Sequence, residues 1–211
     1  LAKACAGLLE APGAVEQYHD GEPIPVSRMP FIAAPTTAGT GSEVTTVSVL
    51  TNTHTGVKKS IRHASFTARL VILDADILGP CPPAVIAASG MDALTQAIES
   101  YASRNATWIT DKLALQAVRL IYAALPRVFD GDRGTSCDDL LLGSALAGIA
   151  LTNAQLGLVH GLAHPLGARF HLPHGLVCAV CLPEVLAFNR EAMAERYTLL
   201  SELMGGDAEA S

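Results

Sequence analysis

The sequence predicts two parts of different class: an α/β part over residues 1–80 and an all-α part over residues 81–211. Two observations carry this. Between Pro30 and Asp74 the apolar runs are short, rich in Val, Ile and Thr, and bounded by Pro, Gly or Asp, as buried strands are. After Pro80, Ala, Leu and Ile take over and recur at helical spacing to the end. Half of the 211 residues are hydrophobic and 16% are charged, enough to bury a sizeable core.

In chain order, Leu1–Glu10 reads as an amphipathic helix stopped by Pro12 and Gly13. Val15–Met29, polar and holding two prolines, reads as a loop. PFIAA (30–34) is a first strand, VTTVSVLT (44–51) a second, Val57–Arg62 a third and RLVIL (69–73) a fourth, ending at Asp74. Pro83–Ser103 reads as a helix with a possible break at Gly90. Asp111–Val128 is strongly amphipathic, with Thr110 as its expected N-cap. Asp130–Ser136 is a polar loop. Helices are expected over Asp138–Thr152, Ala154–Phe170, Gly175–Phe188 and Glu191–Met204. There is no internal repeat and no low-complexity segment. The chain opens inside a helical pattern without an initiator Met, which reads as part of a longer chain.

The formal net charge of −6, with no basic cluster beyond Lys58, Lys59 and Arg62, argues against nucleic acid as a partner. No run has the length of a membrane span and no signal peptide is visible, so a membrane partner is not expected. Five scattered cysteines suggest reduced thiols and a cytoplasmic protein. Cys178 and Cys181 form a CxxC inside the apolar run LVCAVCLP, where two small core residues are the reading preferred over a redox pair.

The densest chemistry lies in LVHGLAHPLGARFHLPHG (158–175), which holds His160, His164, His171 and His174, four of the seven histidines. His160 and His164 are spaced i,i+4 and share a helical face. Pro165 and Pro173 interrupt the pattern, placing His174 at the start of a following helix. A buried metal site and a set of scattered histidines are both open on spacing alone, because the pair lacks the glutamate of the zinc protease signature. GMDALTQAIESY (90–101) is a polar island in an apolar helix. Asp92 and Gln96 are i,i+4, with Glu99 further along. A lone buried carboxylate is costly, so Asp92 needs a cation or is a helix cap. PTTAGTGSE (35–43) follows a strand and offers backbone N–H groups and hydroxyls to phosphate or ribose oxygens, or is a tight turn. Lys58 adds a cation to that surface or is an ordinary solvated lysine.

Three stretches together, PTTAGTGSEVT (35–45), GMDALTQAIESY and LVHGLAHPLGARFHLPHG, resemble the iron-containing (group III) alcohol dehydrogenases. The resemblance implies a dehydroquinate synthase-like fold: a nucleotide-binding α/β domain, incomplete here as residues 1–80, followed by an all-α metal-binding domain. It also implies that the glycine-rich pyrophosphate motif and the last helices lie outside this sequence. By position it puts metal ligands at Asp92, His160 and His174, and a fourth, normally His, at Gln96. His164 matches a proton carrier beside the substrate. Thr36, Thr37, Thr45, Lys58 and Leu78 match dinucleotide-contacting positions, and His171 matches none and is read as a surface residue. The cofactors implied are Fe2+ (or Zn2+) and NAD or NADP, and the partners a small alcohol or aldehyde substrate and a second copy in a homodimer.

The implied activity is hydride transfer between a primary or secondary alcohol, or its aldehyde or ketone, and NAD(P). Gln96 departs from the pattern. Its amide oxygen is a harder, weaker ligand than imidazole, so weakened binding and a modest preference for harder ions are expected. Two alternatives remain: a lyase similar to dehydroquinate synthase, and a non-catalytic homologue with an impaired metal site.

Overall fold

A computed structural model of the chain describes residues 1–206. The expected helical part therefore has five positions, 207–211, outside the described residues. The chain forms two compact units, and their division is not one cut. One unit joins Leu1–Ala34 to Ser42–Ile72, and the other joins Pro35–Gly41 to the chain from Leu73 onward.

In the first unit, α1 spans Ala2–Leu8 and α2 spans Val15–Asp20. The loop expected at 15–29 therefore opens with a helical turn and a half. Its start is closed by Gln17, whose Oε1 accepts from the Ala14 N–H at 3.0 Å. Its end is closed by Gly21 at φ 121°, whose N–H donates to the Gln17 carbonyl. Tyr18 then buries its ring and donates its hydroxyl to the Pro12 carbonyl. The four expected strands form, β1 (Ile32–Ala33), β2 (Val47–Thr51), β3 (Lys58–Arg62) and β4 (Leu70–Val71), but β1 and β4 are two residues each and not buried as expected, with Ile32 and Leu70 exposed. β2 and β3 pair antiparallel, with Val47 opposite Arg62 and Thr51 opposite Lys58, while β1 and β4 pair parallel. A small core of Leu8, Tyr18, Ile61 and Phe66 holds the unit.

The second unit is helical: α3 (Ala75–Leu78), α4 (Pro83–Ala102), α5 (Trp108–Phe129), α6 (Thr135–Ala154), α7 (Leu158–Phe170), α8 (His174–Asn189) and α9 (Ala194–Leu203). α3 lies where the sequence assigned no element, and Asp74 caps it by accepting from the Asp76 N–H. α4 runs unbroken through Gly90. α5 starts one turn before the expected cap: Thr107 is the N-cap and Thr110 completes a capping box with it. The break between α6 and α7 falls at 155–157, where Gln155 takes φ 68°. α4 packs on α5, α6 and α8, and α7 packs on α8. The core between them includes Ile86, Ala97, Val118, Ile121, Leu140, Val159 and Leu182. Among the described residues no single helix is long and apolar enough to cross a membrane.

The loop Pro35–Gly41 packs inside this helical unit. Gly41 has φ +56°, and a Cβ there would come within 2.5 Å of the Gly148 Cα on α6, so only glycine lets the backbone lie this close.

Candidate metal centre

Three helices each carry an i,i+4 pair on the face towards one point, Asp92 and Gln96 on α4, His160 and His164 on α7, His174 and Cys178 on α8, with His164 alone of the six exposed. The ligand atoms of Asp92, His160, His174 and Cys178 all lie within 4.8 Å of one another. Asp92 Oδ1 is 3.2 Å from His160 Nε2 and 3.6 Å from His174 Nε2. Cys178 Sγ is 3.7 Å from Asp92 Oδ1, 4.0 Å from His160 Nε2 and 3.8 Å from His174 Nε2. Asp92, His160 and Cys178 are buried, and His174 is half-buried.

Backbone packing sets these positions. α8 starts directly after Pro173, so His174 sits in its first turn. Gly175 follows, and a Cβ there would lie 1.9 Å from the Ala88 carbonyl oxygen of α4. The missing side chain brings the start of α8 onto the α4 backbone, one turn before Asp92. α7 is fixed to α4 by Glu99. One carboxylate oxygen of Glu99 accepts from the Val159 N–H at 2.7 Å, an otherwise open donor of the first helical turn. The other oxygen lies 2.5 Å from His160 Nδ1. With Nδ1 turned to Glu99, it is the Nε2 atom of His160 that faces the cluster, the arrangement by which an outer carboxylate orients a metal-binding histidine.

The electrostatics favour a cation. Burial opposes charge on His160, but hydrogen bonds to Asp92, Cys178 and Glu99 outweigh it and push the ring up to about 11. Two buried carboxylates thus hold a positive charge between them. Gln96 adds a further sign: its Oε1 is buried and has no hydrogen-bond partner, a carbonyl able to face a cation. Carboxylate, imidazole and thiol donors with an unpartnered carbonyl one turn from Asp92 fit a divalent transition metal.

The remaining sequence-derived residues are more dispersed. His164 is exposed, and its ring stacks on His174 with centroids 5.2 Å apart. His171 is exposed. In the helical unit, Thr36 is exposed and Thr37 half-buried, both on the 35–41 loop, whereas Leu78 is fully enclosed in the core and has no side-chain surface to give a ligand. In the other unit, Lys58 is exposed on β3. Thr45 is buried, and its Oγ1 accepts from Lys3 Nζ at 2.9 Å. Sequence reasoning passed over Cys178 and Glu99 as site residues. Cys178 stands i,i+4 from His174, the same spacing that drew attention to His160 and His164.

Comparison with known proteins decides the family. Residues 1–75 match the model described as iron-containing alcohol dehydrogenase, and residues 86–211 match that of the Fe-containing alcohol dehydrogenase family, C-terminal. The chain belongs to the iron-containing alcohol dehydrogenase family. The 1,3-propanediol dehydrogenase of Klebsiella pneumoniae is 42% identical over 194 residues, covering 92% of this chain and 50% of that one. The structure is similar to that of the alcohol dehydrogenase from Oenococcus oeni (TM-score 0.92, 32% identity, 99% of this chain and 55% of that one). It is also similar to the sulfoacetaldehyde reductase from Bifidobacterium kashiwanohense in complex with NAD+ (TM-score 0.85, 31% identity, 98% and 60%). The chain spans about half the length of the curated relatives it matches.

Proposed function

We propose that this protein is a metal-dependent alcohol dehydrogenase, moving a hydride between a primary or secondary alcohol, or its aldehyde or ketone, and NAD or NADP. The observation that carries the reading is the convergence of Asp92, His160 and His174 from three helices on one buried point. Family membership, and relatives whose names are those of alcohol dehydrogenases and aldehyde reductases, support it.

Asp92, His160 and His174 would hold the ion, with Gln96 beside it. When bound, Fe2+ or Zn2+ supplies a Lewis acid for the substrate oxygen, and the nicotinamide carries the hydride. The chain's own residues do the rest. Glu99 keeps the His160 proton on Nδ1 and the ring turned inward. Burial of Asp92 and His160 excludes water from the ligand atoms and strengthens their charges. His164, exposed and one turn from His160, takes or returns a proton at an imidazole nitrogen in exchange with solvent. Residues 1–80 are the cofactor-side part of this reading, with Thr36, Thr37, Thr45, Lys58 and Leu78 as its dinucleotide positions and Leu78 confined to backbone contact. A homodimer and a cytoplasmic setting belong to the same reading, the latter supported by five free cysteines among the described residues.

The test combines metal analysis with alcohol-dependent reduction of NAD+ and NADP+ by the purified protein. One equivalent of metal and turnover with either cofactor are expected. Protein that takes up no metal on anaerobic reconstitution, or holds metal and reduces neither cofactor with any alcohol, would overturn the reading.

A further inference from the structure

We propose that Cys178 is the fourth protein ligand of this metal, so that the centre is Asp92, His160, His174 and Cys178, with Gln96 outside the ligand set. The proposal rests on the reading that the first three residues hold a divalent ion.

Geometry argues for it. Zinc bonds of about 2.0–2.2 Å to N and O and about 2.3 Å to S put tetrahedron edges near 3.3–3.6 Å between N and O and about 3.6 Å to S. The edges here are 3.2 and 3.6 Å between Asp92 and the two histidines, and 3.7, 3.8 and 4.0 Å from the sulfur. Among these five edges the three to sulfur are the longest, as its larger radius requires, and the sixth, between the two imidazoles, lies within 4.8 Å. The thiol can donate one hydrogen bond to Asp92 and accept from the two imidazoles, but at 3.7, 4.0 and 3.8 Å all three contacts are long, and Sγ stands nearly equidistant from three ligand atoms.

Position argues for it too. Cys178 follows His174 by one turn on α8, so one helix face carries both donors. Its side chain is fully buried, which removes it from exposed redox chemistry, and its sulfur meets Asp92, His160 and His174. On coordination the Sγ–H bond breaks, the proton leaves to solvent, and the sulfur binds as thiolate. A thiolate selects zinc over harder ions, the reverse of what an amide oxygen from Gln96 would do.

Cobalt(II) is the probe, because a cobalt–thiolate bond gives an intense near-ultraviolet charge-transfer band that N and O ligands do not. The purified protein, stripped and reloaded with one equivalent of Co2+, should show this band. C178S should lose it while still binding Co2+, with affinity lowered at least about tenfold, the smaller of the losses seen when even an outer partner of a ligand is removed. C181S should keep it. Co2+ bound to the native protein without the band, or a band that survives in C178S, would overturn the Cys178 assignment and leave the three-ligand reading standing. A native protein that binds no Co2+ would overturn both. The native spectrum decides even where a variant does not fold.

Discussion

Two buried polar clusters, one in each unit, solve the same problem in opposite ways. In the strand-bearing unit Lys3, Glu43 and Thr45 are nearly inaccessible, at 5%, 7% and 4% exposure. Lys3 Nζ donates to the Thr45 carbonyl at 2.7 Å and to its hydroxyl at 2.9 Å, with Glu43 supplying the opposite charge. That cluster closes on itself: the cation belongs to the chain. In the helical unit Asp92 and Glu99, at 3% and 6%, are two anions facing imidazoles and a thiol, and the Gln96 carbonyl has no partner. That cluster is short of positive charge unless a proton or a metal supplies it. A buried polar network that serves structure satisfies its own donors and acceptors, whereas one that serves binding keeps lone pairs aimed at a common point.

The most severe way to break the second cluster is His160→Ala. Metal content and activity should fall together, activity by on the order of 10³-fold or more, since Lewis-acid stabilisation is worth several kcal/mol and each 1.36 kcal/mol is tenfold. Full metal occupancy in this variant would remove His160 from the ligand set.

The first cluster is tested by pH. Burial holds Lys3 down to about 8 against an ordinary value of 10.5, with Glu43 opposing the shift. Because the folded value lies below the unfolded one, the unfolded chain binds more protons between them. Charged Lys3 therefore costs stability below about pH 8, and the cost fades as pH rises towards 10.5. From this group alone stability should rise by at most about 3 kcal/mol over that window, and by less to the extent that solvent screens the charge. In Lys3→Met the rise should disappear, as read by urea unfolding at several pH values. An unchanged slope would mean that Lys3 is not buried as a cation.

Glu99→Gln probes the link between α4 and α7. The amide oxygen still accepts from Val159, but the charge behind His160 is gone. Metal affinity should fall about 10–100-fold with the fold retained. Circular dichroism and competition with a chelator separate the two effects. Gln96→His should have the smallest consequence, tightening metal binding only a few-fold if Cys178 already fills the fourth position. A gain of several orders of magnitude would instead mark position 96 as a missing ligand.

What the sequence revealed of the site followed helical period and the cost of burying charge. Asp92, standing between apolar neighbours, needed a cation unless it capped a helix, and Pro173 placed His174 at the start of the helix after that of His160, whereas Pro165, read as an interruption, lies inside α7. Cys178 was hidden because LVCAVCLP is apolar throughout, and a cysteine among Leu and Val reads as core until a neighbouring helix supplies its partners. The fold was read to a similar depth. Strands β1–β4 and the long helices follow from composition and period, with the ends moved by a residue or a turn. The helix at 15–20 was missed because its closing contacts, Gln17 to Ala14 and Tyr18 to Pro12, depend on side chains and not on hydrophobic period. Thr107 displaced Thr110 as cap because the two form one reciprocal motif, and either could start the helix by composition. That the side chain of Leu78, a dinucleotide position by resemblance, is enclosed in the core needs the packing of α3 to be seen.

The contact between Gly175 and the Ala88 carbonyl has a consequence for how an ion would enter. Together with Glu99 it fixes α4, α7 and α8 to one another through contacts that involve no ion. Much of the conformational freedom that three separate helices would otherwise lose on capture is lost when the chain folds. Uptake is then governed mainly by exchange of the ion's own hydration shell for ligands already in place, which is preorganisation in the thermodynamic sense. Such a centre should load and empty without large change in helix content, and its affinity should reflect the chemistry of four donor atoms more than the ordering of the chain around them.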